Sequence, residues 1–150
     1  MEVIWPSSGE FTDDLRLFVR EYSSGGFPEP IPPPTEDQVA AAAAAVVAVN
    51  EPVFGKPRFR TLNTRCAAAF YELSKRHFFV NGNKRIATYF LLHLLEINGK
   101  MLRVSPKRLA VFAERVAASH PVEREHTLNI SAAFIRRHRV ELAVWSSSTL

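Results

Sequence analysis

A single cysteine, Cys66, stands in 150 residues. An internal disulfide is therefore impossible, and so is a zinc site built from cysteines. Long apolar runs are missing as well. The longest, Val39 to Val49, has eleven residues, well short of the roughly 20 that a membrane-spanning helix needs. Met1 to Pro6 lacks the basic start and apolar stretch of a secretory signal. A soluble cytoplasmic protein without a membrane partner is the expectation. Neither sign of charge dominates: lysine and arginine number 19 against 15 acids, for a net charge of +4. That surplus suits an anionic ligand or an acidic partner and falls short of a dedicated nucleic-acid binder. Alternating stretches long enough for a sheet are absent, and no segment repeats.

Hydrophobic residues make up 47% of the chain and charged residues 23%, enough for one core in a single domain over residues 1–150. The pattern is helical throughout. Phe11 to Tyr22 reads as a short amphipathic helix capped by Thr12 or Asp13, with Leu15, Phe18 and Val19 on one face. Ser23 to Pro34 holds two glycines and five prolines and must be loop or extended chain. This N-terminal portion, residues 1–34, leads into Thr35-Glu36-Asp37-Gln38, which has the form of a capping box. The alanine-rich run behind it fits a helix packed closely through small side chains. Asn50 to Arg60 is a loop. Leu62 to Arg76 is a helix with Cys66, Ala69, Phe70 and Leu73 on one face, Cys66 being inert core.

Ile86 to Ile97 is apolar on nearly every side, which marks a central buried helix, and Asn98-Gly99 ends it. Ser105-Pro106 starts the next, an N-cap serine before a proline. It runs to about Ala118, and His120-Pro121 interrupts. A last helix covers roughly Leu128 to Val144. The fold class expected is all-α, with about six helices around Ile86 to Ile97. Trp5 and Trp145 are candidates for pinning the termini. His93 reads as a core histidine bonded to a neighbour, and Arg136-Arg137-His138-Arg139 as a solvated basic face.

The segment that carries chemistry is His77-Phe78-Phe79-Val80-Asn81-Gly82-Asn83-Lys84-Arg85. The amides of Gly82, Asn83 and Lys84 fall where a helix begins, and such amides together with the helix dipole favour an anion. Gly82 has no side chain to keep a phosphate from the backbone. Lys84 and Arg85 add charge, and arginine adds a two-pronged donor shaped for phosphate oxygens. His77 is the residue type suited to take a proton near neutral pH. Phe79 is the apolar peg that fixes the loop to the core. Read as residues alone, the segment is equally a helix-loop-helix joint with a solvated basic cap.

The segment resembles the signature of the Fic/Doc family, His-x-Phe-x-(Asp/Glu)-Gly-Asn-x-Arg. His77, Phe79, Gly82, Asn83, Lys84 and Arg85 carry the match, and the Asn-Lys-Arg ending is similar to the Doc branch of toxins from toxin–antitoxin pairs. Pro52-Val53-Phe54-Gly55 and Leu95-Glu96-Ile97-Asn98-Gly99 also look like family segments, so close similarity spans about residues 50–100. The resemblance implies the Fic fold and the transfer of part of a nucleoside triphosphate, ATP or another, onto a protein hydroxyl. His77 would be the general base, Gly82 and Asn83 the anion hole, and Lys84 and Arg85 the phosphate holders. Adenylylating relatives have glycine where Lys84 stands and arginine where Thr88 stands. The two residues here favour phosphoryl transfer over AMP transfer, with elongation factor Tu as the family's known target. Position 81 should be the Asp or Glu that holds Mg2+, and the chain has Asn81, which weakens the metal site. A catalytically impaired protein that binds nucleotide or a protein partner is the alternative. Self-inhibiting relatives carry Ser/Thr-x-x-x-Glu-Gly/Asn. Ser119 to Glu123 comes near but is followed by Arg124, so a separate antitoxin is implied.

Overall fold

The computed structural model describes residues 2–24 and 29–142. Six α-helices are formed among them: α1 (Ser8–Ser24), α2 (Glu36–Val49), α3 (Leu62–Lys75), α4 (Asn83–Glu96), α5 (Pro106–Ala118) and α6 (Arg124–His138). None is long and apolar enough to cross a membrane.

Local chemistry sets most of the boundaries. Thr35 and Gln38 close the expected capping box at α2, and Ser105 accepts the Arg108 amide ahead of Pro106 at α5. α1 starts earlier than the pattern of apolar residues suggests. Its cap is Ser7, whose hydroxyl accepts from the Glu10 amide while the Glu10 carboxylate accepts from the Ser7 amide. That is a Ser-x-x-Glu box. Thr12 lies inside the helix and donates to the Ser8 carbonyl.

α3 and α4 pack together at the centre, and α3 also meets α2, α5 and α6. α3 can be approached from so many sides because Cys66, Ala67, Ala68 and Ala69 are small and buried. The Cys66 thiol is pushed up to about 12 by burial and is inert core. Phe11, Phe70, Phe90 and Leu94 fill the core around this pair. α4 keeps one open stripe, through Lys84, Thr88, Leu92 and Glu96, so its burial is not complete all round. Trp5 does pin the N-terminus, donating to the Val46 carbonyl at 2.8 Å. Asn98 adds a second tie through the Ile4 amide and carbonyl. Trp145 lies outside the described residues.

Two expectations need correction. Short sheets are present: β1 (Pro52–Val53) pairs antiparallel with β2 (Lys56–Pro57), and β3 (Lys100–Leu102) with β4 (Arg139–Glu141). Strands of two or three residues are too short to show alternation: β1 and β2 are joined by the tight turn Phe54-Gly55, whereas β3 and β4 are brought together only by the folding of α5 and α6 between them. The last helix likewise begins at Arg124, directly after a 3-10 turn at Pro121–Glu123, and ends at His138. Beyond His138 the backbone turns extended and is held by β3, with Lys100 paired to Glu141.

Candidate active site

The site grows from the joint between α3 and α4. His77 follows the end of α3 with φ of 48°, and its side chain is exposed. A non-glycine residue in the left-handed region is uncommon, and such strain gathers where a loop must present a side chain. Among the described residues the imidazole makes no hydrogen bond, leaving both ring nitrogens to solvent. Phe78 lies under the Arg76 guanidinium at 5.0 Å, and Phe79 is buried as the peg expected of it.

Asn83 shapes this loop. Its amide oxygen accepts from the Phe79 N–H at 3.1 Å and its amide nitrogen donates to the Phe79 carbonyl at 2.9 Å. The side chain is thereby turned back into the loop, and what Asn83 offers an anion is its backbone N–H. Gly82 precedes it with φ of 81°. No side chain caps α4, and the first backbone bond of the helix runs from Ile86 N–H to the Gly82 carbonyl at 2.9 Å. The amides of Asn83, Lys84 and Arg85 therefore point out of the helix start without a capping partner. That is the geometry of an anion site.

The Gly82 amide does not belong to that set. It donates to Asn81 Oδ1 at 2.8 Å. Gly82 is also buried, and the missing side chain makes room for Ile31. A Cβ there would stand 2.7 Å from Ile31 Cγ1 and 2.9 Å from Cδ1. The glycine serves a positive φ and a close contact with protein, and the expectation that it gives a phosphate room is corrected accordingly.

Lys84 and Arg85 are already engaged. Lys84 Nζ meets Glu114 on α5 at 2.5 Å, both side chains half-exposed or more. The Arg85 guanidinium donates to the Glu29 carbonyl and lies 4.7 Å from the centre of the Tyr22 ring. Glu29 and Ile31 belong to the proline-rich segment, whose Ile31 carbonyl is held by Ser23 Oγ at 3.0 Å. This strap passes over the start of α4. Glu123, the residue nearest to a self-inhibiting glutamate, is exposed on the 3-10 turn and makes no bond to Arg85.

Beside these residues a groove of about 520 Å³ opens between α1, α4 and α5, lined by Phe18, Tyr22, Lys84, Arg85, Thr88 and Tyr89 among others. Its size suits a small organic ligand. Tyr89 forms part of its apolar wall, and burial, with Asp14 and Glu96 nearby, raises its hydroxyl above the ordinary range. His93 pairs with Asp14 at 3.0 Å and stacks near Tyr89, the bond to a neighbour expected of it, although it is half-buried at the edge of the core.

Position 81 lacks the carboxylate that Mg2+ prefers. Position 81 offers a neutral amide, its oxygen accepts from Gly82, and no group of three or more His, Cys, Asp or Glu side chains among the described residues could hold a metal.

Sequence reasoning missed Glu114, Glu29 and Ile31. Ile31 had a signal: it is the one apolar side chain in Glu29-Pro30-Ile31-Pro32-Pro33-Pro34, and such a residue in a polar, proline-rich loop is an anchor waiting for a pocket. Glu114 had none, since a pairing across helices needs the fold.

The sequence model of the Fic/DOC family matches residues 9–95, more than half of the chain. The match takes in nearly all of α1, the whole of α2 and α3, most of α4 and the whole His77–Arg85 segment. No curated protein matches the sequence.

Proposed function

The chain belongs to the Fic/DOC family, and on that premise we propose that it is a Doc-like transferase, moving the terminal phosphoryl group of ATP or another nucleoside triphosphate onto a protein hydroxyl. The observation that supports this reading is the uncapped first turn of α4, flanked by Lys84 and Arg85, on the loop that exposes His77.

Phosphoryl transfer asks a protein for positioning and charge more than for covalent chemistry. The amides of Asn83, Lys84 and Arg85 would receive the phosphate oxygens. His77 would take the proton of the target hydroxyl. That oxygen bonds to the terminal phosphorus, the bond from this phosphorus to the bridging oxygen breaks, and the nucleoside diphosphate leaves with the electron pair. AMP-transferring relatives have a glycine where Lys84 stands, so the resemblance implies that this lysine takes up room an α-phosphate would use, which favours terminal-phosphoryl over AMP transfer. For Lys84 and Arg85 to bind phosphate they must exchange Glu114 and the Glu29 carbonyl for it. A protein target such as elongation factor Tu, and a separate antitoxin as inhibitor, follow from the Doc-like ending of the segment.

A second reading is a protein that binds nucleotide with little transfer. Asn81 favours it, because the residue expected to be an acid is a neutral amide bonded to its own neighbour. Incubation of the protein with bacterial lysate and ATP labelled in the terminal or the α-phosphate separates the readings. Terminal label on a protein supports the transferase, α-label supports AMP transfer, and nucleotide binding with neither label transferred supports the second reading.

A further inference from the structure

α5 has a second open face. Val111 and Phe112 form part of it, and Ile130 and Phe134 on α6 stand opposite; together they floor a groove of about 360 Å³. Lys107, Arg108 and Arg115 edge it on the α5 side and Arg137 on the α6 side, and no acidic residue lines it. The groove shares no residue with the one beside Lys84 and Arg85.

Two features mark it as unfinished surface. Val111 is 55% exposed and Ile130 39% exposed, although both are large apolar side chains. None of the four rim cations forms an ion pair among the described residues. The floor has an apolar stripe between two helices, with positive charge along both sides. The shape and charge that complement it belong to an amphipathic helix whose apolar stripe is bordered by carboxylates.

Nucleic acid is the other anionic class, and the aromatic geometry argues against it. Phe112 and Phe134 stack at 4.1 Å with 1° between their planes, and Phe134 also lies 4.4 Å from the His138 ring. The ring faces are spent on one another, so bases find no stacking platform.

We propose that the α5–α6 groove is a docking site for an acidic amphipathic helix of a partner protein. Residues at i, i+3, i+4 and i+7 of that helix sit on Val111 and Ile130, and its acidic flanks lie over Arg108, Arg115 and Arg137.

The test uses the full chain and a fluorescein-labelled peptide with leucine at those spacings and glutamate elsewhere. Two comparison probes are the same peptide with lysine for glutamate and a single-stranded DNA oligonucleotide. Anisotropy titrations should show saturable binding of the acidic peptide, weakened by salt and absent for the lysine peptide. Arg115→Glu and Val111→Glu should each reduce that affinity about tenfold or more, whereas Arg20→Glu on α1, with the same change in net charge, should leave it nearly unchanged. Circular dichroism checks that Val111→Glu folds; should it not, the exposed Arg115→Glu carries the result. The proposal is overturned if the full chain binds no acidic peptide, including the case where its own C-terminal residues fill the groove. It is equally overturned by tighter binding of the oligonucleotide, or by an Arg20→Glu loss equal to that of Arg115→Glu.

Discussion

The Lys84 ammonium and the Glu114 carboxylate meet at 2.5 Å between α4 and α5. The pair occupies the lysine that the proposed phosphate site needs. Both side chains are half-exposed or more, so the pair is worth no more than about 1 kcal/mol and a phosphate can displace it. Glu114→Gln should therefore raise affinity for a nucleoside triphosphate, by up to about fivefold, and Lys84→Ala should lower it. Titration of a fluorescent ATP analogue measures both. Equal affinity for Glu114→Gln and the parent would mean that Lys84 does not reach the phosphates.

Gly82→Ala should destabilise the protein for two separable reasons. The residue has φ of 81°, and the new methyl would stand 2.7 Å from Ile31 Cγ1. Strain of this kind costs about 1–3 kcal/mol. Adding Ile31→Ala removes the collision but not the backbone strain, so relative to Ile31→Ala alone the cost of Gly82→Ala should shrink without vanishing. Urea denaturation of the parent, both single variants and the double variant gives the coupling. Additive costs would mean that the Ile31 contact does not govern Gly82.

How far the sequence could be read depends on the distance between cause and effect along the chain. Thr35 with Gln38, Ser105 with Pro106 and Gly82 with Asn83 act within a few residues, and the helix starts they set were legible. Ser7 with Glu10 was equally local, and was overlooked only because Gly9 and two serines hide a helix start behind a loop-like composition. β4 could not be seen, because Arg139 to Glu141 is extended only through its pairing with Lys100 to Leu102. The motif residues were legible as a segment, yet the partners of the two cations were not. Glu29 lies 56 residues from Arg85 and Glu114 lies 30 from Lys84.

Asn81→Asp should add what position 81 lacks. The amide oxygen is neutral and accepts from Gly82, whereas a carboxylate keeps acceptor capacity for a cation and binds it with charge-assisted contacts about twice as strong. Transfer activity and nucleotide affinity of the variant should rise with magnesium concentration more steeply than those of the parent. Identical magnesium titrations would show that position 81 does not face the cation.

Alkaline stability should report on Cys66. Burial raises its thiol from 9.0 to about 12, so the folded state holds a proton that the unfolded chain releases. The resulting stability is complete below the unfolded value of 9.0 and is lost as pH climbs towards 12. Cys66→Ala should lose less stability than the parent across that window, and the parent thiol should react with a maleimide only on unfolding. Equal pH slopes, or fast reaction of the folded protein, would contradict its assignment as inert core.

His77 is the residue on which the proposed chemistry turns, and it supports little packing: it is exposed, strained at φ of 48°, and makes no hydrogen bond among the described residues. Replacing it should therefore separate catalysis from folding. The direct measurement is the rate at which label from the terminal phosphate of ATP reaches a protein substrate, compared between the parent and His77→Ala at matched folded concentration. A general base contributes about 10²–10⁴-fold, so the variant should unfold at the same urea concentration as the parent, bind the fluorescent ATP analogue as before, and transfer slower by that factor. Transfer at the parental rate by a folded His77→Ala protein would contradict the account.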